Sequence, residues 1–120
     1  MESAALSNEA ILDRGHLARM TLGNRSLEHE VLELFDRQAE ILLIRMRKGG
    51  TSGDSAAVSA LAHALKGSAA GIGAGQVARA AELTEQAATG SAAECSAAVD
   101  RLAEAVDRAR VLIAELLRQS

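Results

Sequence analysis

The sequence predicts an all-α fold, an antiparallel up-down bundle of four helices with a short additional helix at its N-terminal end. Three observations lead there. The 120 residues include no proline and a single aromatic, Phe35, although 48% of them are hydrophobic. A core without aromatics has to be built from Leu, Ile, Val and Ala, which suits closely packed helices better than a sheet. Apolar residues recur at the three- and four-residue spacing of a helix, in segments divided by short Gly-, Ser- and Asn-containing breaks. Four long helices joined by short loops favour antiparallel neighbours. A chain of this length is expected to form one domain over residues 1–120, with one core and no room for a substantial cleft.

Residues 1–12 have weak periodicity and are expected to fray. Asp13 is placed to cap a short helix through about Thr21, on which Leu17 and Met20 form a small apolar stripe. Gly23-Asn24 breaks it, and Asn24 or Ser26 caps a long helix to about Lys48. Leu27, Val31, Leu34, Phe35, Gln38 and Leu42 share one face of that helix. Leu32, Leu43 and Ile44 fall off it, and serve either as core against the first helix or as part of a docking surface. Gly49-Gly50-Thr51-Ser52-Gly53 reads as the clearest loop in the chain.

Asp54 caps a third helix, from Ser55 to about Ala70, and Gly71-Ile72-Gly73-Ala74-Gly75 reads as a tight connection. A fourth helix, about Gln76 to Ala88, ends at Thr89-Gly90. Ser91-Ala92-Ala93-Glu94 is a capping box that opens the last helix, with Ala98, Leu102, Ala105, Ala109, Leu112 and Leu116 as its seam.

Composition removes several function classes. The formal net charge of −3 and the lack of stacking aromatics argue against a nucleic-acid partner, and a small-molecule pocket would lack its usual aromatic walls. Cys95 is the only cysteine, which excludes an internal disulfide and a cysteine-built zinc site and suits a reducing compartment. Met1-Glu2-Ser3-Ala4-Ala5 lacks the basic-then-apolar order of a signal peptide, and the longest strongly apolar run is Ile41 to Ile44. A membrane helix needs about 20 apolar residues. A cytoplasmic protein without a membrane partner is expected.

The third helix carries the candidate chemistry. With about 100° per residue, Val58, Leu61, Leu65, Ala69 and Ile72 fall within about 80° of arc, and His63 lies about 160° from its centre. Around His63 on the outer side stand Ser59, Lys66, Gly67 and Ala70, with Ala56 and Ala60 widening the same surface. A lone exposed histidine is ordinarily an unremarkable surface residue. Gly67 argues otherwise, because glycine inside a helix costs about 0.8–1 kcal/mol relative to alanine. One turn from an exposed imidazole, it leaves room for another protein's backbone. Lys66 can stabilise an anion bound at the ring. Neutral imidazole has a lone pair near pH 7 and can attack phosphorus to form a phosphoramidate.

The run Ala62-His63-Ala64-Leu65-Lys66-Gly67-Ser68-Ala69-Ala70-Gly71-Ile72-Gly73-Ala74 closely resembles the motif of the histidine phosphotransfer (HPt) domain family, His-x-Leu-Lys-Gly-Ser-Ala-x-x-Ile-Gly-Ala. The motif stretch is short, dense and highly specific. A weaker likeness covers most of the chain: Met20-Thr21-Leu22-Gly23, Glu30-Val31-Leu32 and Leu34-Phe35 resemble the family's preceding helix, and Ala81-Glu82-Leu83 its following one. The departure is Gly71, where many members carry a polar residue such as Asn.

The resemblance implies that His63 accepts a phosphoryl group from an aspartyl phosphate on a receiver domain and passes it to another receiver aspartate. Lys66 would steady the phosphoryl oxygens. Gly67, with Ser59, Ala60 and Ala70, would form the docking surface, and Ser68 would bond locally and hold the helix turn. No metal or cofactor is implied on this chain, the Mg²⁺ for transfer belonging to the receiver's acidic pocket. The partners implied are receiver domains of response regulators or hybrid histidine kinases, met by a phosphocarrier rather than an independent enzyme. The polar loops and the lack of a self-complementary seam point to a monomer.

Two other readings stand beside it. One is the phospho-accepting domain of a larger sensor or chemotaxis kinase, which would phosphorylate His63 from ATP. The start at Met1 and the lack of a nucleotide-binding region favour a free protein. The other is a non-catalytic helical adaptor, which would not need His63, Lys66 and Gly67 together.

The remaining signals carry less. Gly71 to Gly75 follows a helix, whereas nucleotide loops follow a strand, and Lys66-Gly67-Ser68 lacks the order of a phosphate loop. His16 and His29 have no second histidine one turn away, so no metal site is expected. Cys95 is expected to be a small buried hydrophobe rather than an activated thiol. Glu28, Glu30, Glu33 and Asp36 read as a solvated helix face.

Overall fold

Side chains stop and start the helices at defined points in the computed structural model, which describes residues 10–119. Five helices lie complete within those residues: α1 (Arg14–Met20), α2 (Arg25–Thr51), α3 (Ser55–Ile72), α4 (Gly75–Ala87) and α5 (Ala92–Arg118). No strand occurs among the described residues. Asp13, Asn24 and Asp54 each accept a backbone N–H three residues on, from His16, Leu27 and Ala57, at 3.0 Å. Asn24 rather than Ser26 therefore caps α2. At α5 the Ser91 hydroxyl accepts from the Glu94 N–H at 3.1 Å, and the Glu94 carboxylate accepts from the Ser91 N–H at 3.4 Å, closing the capping box. Such caps contribute typically about 1 kcal/mol each.

Both glycine clusters are more helical than their composition implies. α2 continues past Lys48 through Gly49-Gly50-Thr51, because Gly49 is a packing residue: a Cβ there would stand 3.2 Å from the Val58 side chain of α3. The chain turns at Gly53, whose φ of +76° lets Asp54 N–H donate to Gly49 O at 2.8 Å and Gly53 N–H to Gly50 O at 3.3 Å. α3 likewise runs through Gly71 to the buried Ile72 and stops at Gly73, φ +84°. Composition locates the breaks, while the packing of each glycine decides which one turns.

Gly73 also fixes α1. Its carbonyl accepts from Asp13 N–H at 2.9 Å, and a Cβ on it would meet the Asp13 carbonyl oxygen at 2.9 Å. His16 Nε2 lies 3.0 Å from Gly71 O, so the histidine caps the end of α3. Gly73→Ala is expected to cost about 2 kcal/mol or more, from strained backbone and the clash together. Gly71→Ala, which meets nothing within 4 Å, should gain up to about 1 kcal/mol. Urea unfolding of the two variants checks the opposite signs.

Residues 1–9 of the segment expected to fray lie outside the described residues. Its described end does not fray: Ile11 packs against the core and Leu12 is buried, which anchors the entry to α1.

The core face of α2 is Leu32, Phe35, Ala39, Leu42 and Met46. The expected face was centred too far round the helix: Leu27 and Leu34 are exposed, Leu32 is core and Leu43 packs at its edge. α3 contributes Val58, Ala62, Leu65, Ala69 and Ile72, and Leu61 is only partly buried. The α5 seam follows Ala98, Leu102, Ala105 and Ala109 as expected, then turns to Ile113, with Leu112 and Leu116 at its edge. α2 packs on α3 and α5, α4 packs on α3 and α5, and α1 lies against α3.

Arg110 of α5 ties across to α2. It donates to both Asp36 carboxylate oxygens, at 2.7 and 3.4 Å, and to Glu40 at 3.2 Å. Asp36 is thus a half-buried interhelical partner and not part of a free solvated face. Cys95 is buried, as expected of a small hydrophobe. No helix among the described residues is long and apolar enough to cross a membrane.

Candidate functional site

The core face of α3 turns His63 outward, and its side chain is 67% exposed. Beside it, α4 packs along α3 and brings Glu85 to the same place. One Glu85 oxygen lies 3.1 Å from His63 Nδ1, and the other accepts from Lys66 Nζ at 3.2 Å. One carboxylate thus holds both residues of the α3 ridge.

The electrostatics of this trio set its chemistry. The Lys66 hydrogen bond, with the Lys66 and His63 charges adding to it, holds the Glu85 carboxyl below the ordinary 4.5 against a smaller opposing effect of burial. A lowered folded-state value means stability present above the unfolded value and lost as pH falls through the folded one. At neutral pH Glu85 is a carboxylate that only accepts hydrogen bonds, so Nδ1 carries the proton and the lone pair of neutral His63 sits on Nε2. That assignment follows from the hydrogen-bond partners. In Lys66→Met the Glu85 carboxyl should titrate closer to 4.5, since the Lys66 hydrogen bond and charge that hold it down are gone. Carboxyl-detected NMR on wild type and variant reads the midpoint; an unchanged midpoint would remove Lys66 as the cause.

The surface around Nε2 is bare. Ala56, Ala60, Ala64, Gly67, Ala70 and Gly71 are exposed and Ser59 is half-buried. A Cβ on Gly67 or Gly71 would meet nothing within 4 Å. On the α2 side the Ser68 hydroxyl donates to Gln38 Oε1 at 3.2 Å. Ser68 was expected to bond within its own turn; it reaches a neighbouring helix because it sits on the flank of α3 that meets α2. One turn to either side of Gln38, Leu34 and Ile41 are 59% and 49% exposed.

The structure therefore brings His63, Lys66, Gly67, Ser59, Ala60 and Ala70 onto one outward side of α3. Glu85, Gln38, Leu34 and Ile41 complete the surface; none was read from the sequence as a site residue, and Leu34 and Gln38 were expected on the buried face of α2 instead. The apolar pair carried a signal, its heptad spacing with Leu27, but that spacing also fits a core face. Glu85 carried none. Among the described residues no group of three or more His, Cys, Asp or Glu is placed to hold a metal ion.

Comparison with known proteins identifies the family and the fold. The Hpt domain family model matches residues 30–111, more than half of the chain. The fold is similar to the crystal structure of histidine-containing phosphotransfer protein B (HptB) from Pseudomonas aeruginosa PAO1, with a TM-score of 0.85 and 22% identity over 92% of this chain and 96% of that one. No curated protein matches the sequence. The chain belongs to the Hpt domain family and acts in histidine phosphotransfer within two-component signalling, where such domains exchange phosphoryl groups with receiver domains.

Proposed function

We propose that His63 is the phosphoacceptor, taking a phosphoryl group from a receiver's aspartyl phosphate and delivering it to another receiver aspartate. The observation that carries this reading is the Glu85 carboxylate at Nδ1, which leaves Nε2 as an exposed nucleophile. The Nε2 lone pair attacks phosphorus, the N–P bond forms, the P–O bond to the aspartyl carboxyl breaks, and the receiver keeps a free carboxylate. The ring becomes an N-phosphoimidazolium whose Nδ1 proton stays in the hydrogen bond to Glu85, which offsets its positive charge. Delivery is the reverse step onto a second aspartate.

Lys66, three residues on from His63 and held by the same Glu85 carboxylate, would exchange Glu85 for the phosphoryl oxygens as negative charge arrives. No metal is assigned to this chain; Mg²⁺ held in the receiver's acidic pocket would neutralise phosphoryl oxygens during transfer. The receiver is read as docking on the bare strip of α3 and the exposed Leu34 and Ile41 of α2, an apolar margin beside a small polar centre. We read α2 to α5 as an antiparallel up-down bundle, which their short connections support, and the chain as a monomeric cytoplasmic carrier.

The test is transfer from a purified phosphorylated receiver with Mg²⁺. Acid-labile, base-stable phosphate on the chain supports the reading. A folded chain that takes no label from several receivers, yet is labelled by a kinase domain with ATP, would replace it with the kinase-substrate reading.

A further inference from the structure

The flank between α4 and α5 carries a second concave surface that phosphoryl transfer does not use. It is a groove of about 580 Å³, and Ala10 from the segment ahead of α1 also belongs to its lining. Ala80, Ala98 and Ala105 line its floor, and Leu83 stands exposed on its α4 lip. Alanines leave depth that larger apolar side chains from outside can fill.

The walls are cationic. Arg79 comes from α4, Arg101 and Arg108 from α5, and the one carboxylate among the lining side chains is Glu104. This local excess of positive charge stands on a chain of formal net charge −3. Arg101 has no hydrogen bond or ion pair among the described residues. Arg79 pairs with Glu82 at 3.2 Å, but both side chains are well exposed, so the pair is weak and exchanges readily. Arg108 Nε donates to Gln76 Oε1 at 3.2 Å, which fixes the guanidinium and leaves its two terminal nitrogens for another acceptor.

The groove and the phosphotransfer site occupy different sides of α4. Glu85 faces α3, where it holds His63, whereas Ala80 and Leu83 line the α5 side. A partner in the groove leaves Nε2 open.

The chemistry selects the occupant. Arg101 and Arg108 are two turns apart on α5, about 10 Å along its axis. That matches carboxylates repeating along one edge of a helix whose apolar face covers the alanines. A small inorganic anion would leave the apolar floor uncovered. A nucleic-acid strand would find no exposed aromatic to stack on, Phe35 being buried. We propose that the α4–α5 groove is a second docking site, which takes an acidic amphipathic helix of a partner protein while His63 serves a receiver.

The probe is a fluorescein-labelled helical peptide of about five turns, with leucines along one face and glutamates elsewhere, read by anisotropy against the full chain. Saturable binding is expected, weakened at least about tenfold in R101E/R108E and again in L83E, and lowered by added salt. Amide NMR shifts should centre on Ala80, Leu83, Ala98 and Ala105. R101E/R108E should keep wild-type helicity and still accept phosphate from a receiver, which separates this proposal from the function proposed above.

No binding, equal binding of a scrambled peptide, or binding indifferent to the charge reversal would overturn it. Inorganic phosphate giving the same shifts would make the groove a small-anion site. A concentration-dependent dimer lost in R101E/R108E would give it to a second copy of this chain. Either result also overturns the proposal.

Discussion

Replacing His63 with glutamine should abolish phosphoryl acceptance and leave the melting temperature nearly where it is. The loss is complete because a glutamine amide nitrogen has no available lone pair, whereas Nε2 does. The fold survives because the side chain is 67% exposed and its hydrogen-bond partner is the surface carboxylate of Glu85. Glutamine can still donate to that carboxylate, and its helix propensity is slightly better than that of histidine. Surface substitutions of this kind change stability by no more than about 0.5 kcal/mol. Label transfer from a phosphorylated receiver, paired with a far-UV CD melt, measures both halves. A large loss of helicity would mean that His63 supports the core. Label persisting on a folded variant would move the acceptor to another residue, His16 and His29 being the other histidines.

The outward position of His63 was legible because α3 has a clean apolar period: Val58, Leu65, Ala69 and Ile72 are core, and a residue opposite them faces solvent. The caps at Asp13, Asp54 and Ser91 were legible because a side-chain oxygen three residues before a free N–H is a local relation. What escaped was non-local. Glu85 lies 22 residues beyond His63 on another helix, and only the rotation of α4 against α3 brings the two together. Ser68 meets Gln38 and Asp36 meets Arg110 through the same kind of contact. Glycine misled in one direction only. Gly49 and Gly71 read as loop yet are helical, Gly49 for close approach to Val58 and Gly71 where nothing requires a side chain. On α2, apolar residues lie on more than one side, so the period alone could not separate the core residue Leu32 from the exposed Leu34.

Gly67→Gln should divide stability from function more sharply than any other substitution at this site. A Cβ at Gly67 meets nothing within 4 Å, so the longer side chain costs no packing in the free protein. Relieving a helical glycine should gain somewhat under 1 kcal/mol, which raises the melting temperature by a few degrees, about 2–6 °C for a domain of this size. Phosphoryl transfer should nevertheless slow at least about tenfold. The new amide would stand one helical turn from His63, within the strip the receiver backbone has to approach, and displacing reacting groups by about an ångström costs on the order of a hundredfold. Gly67→Ala should keep much of the stability gain and lose less rate, because a methyl group intrudes less. Single-turnover transfer at several receiver concentrations distinguishes obstructed docking from slower chemistry: weakened half-saturation places the damage in docking. A more stable but slower carrier would mean that the helix gives up stability at Gly67 to leave the face around Nε2 open. A more stable carrier with wild-type kinetics would mean that the receiver approaches His63 from the α4 side, and that the bare strip of α3 plays no part in recognition.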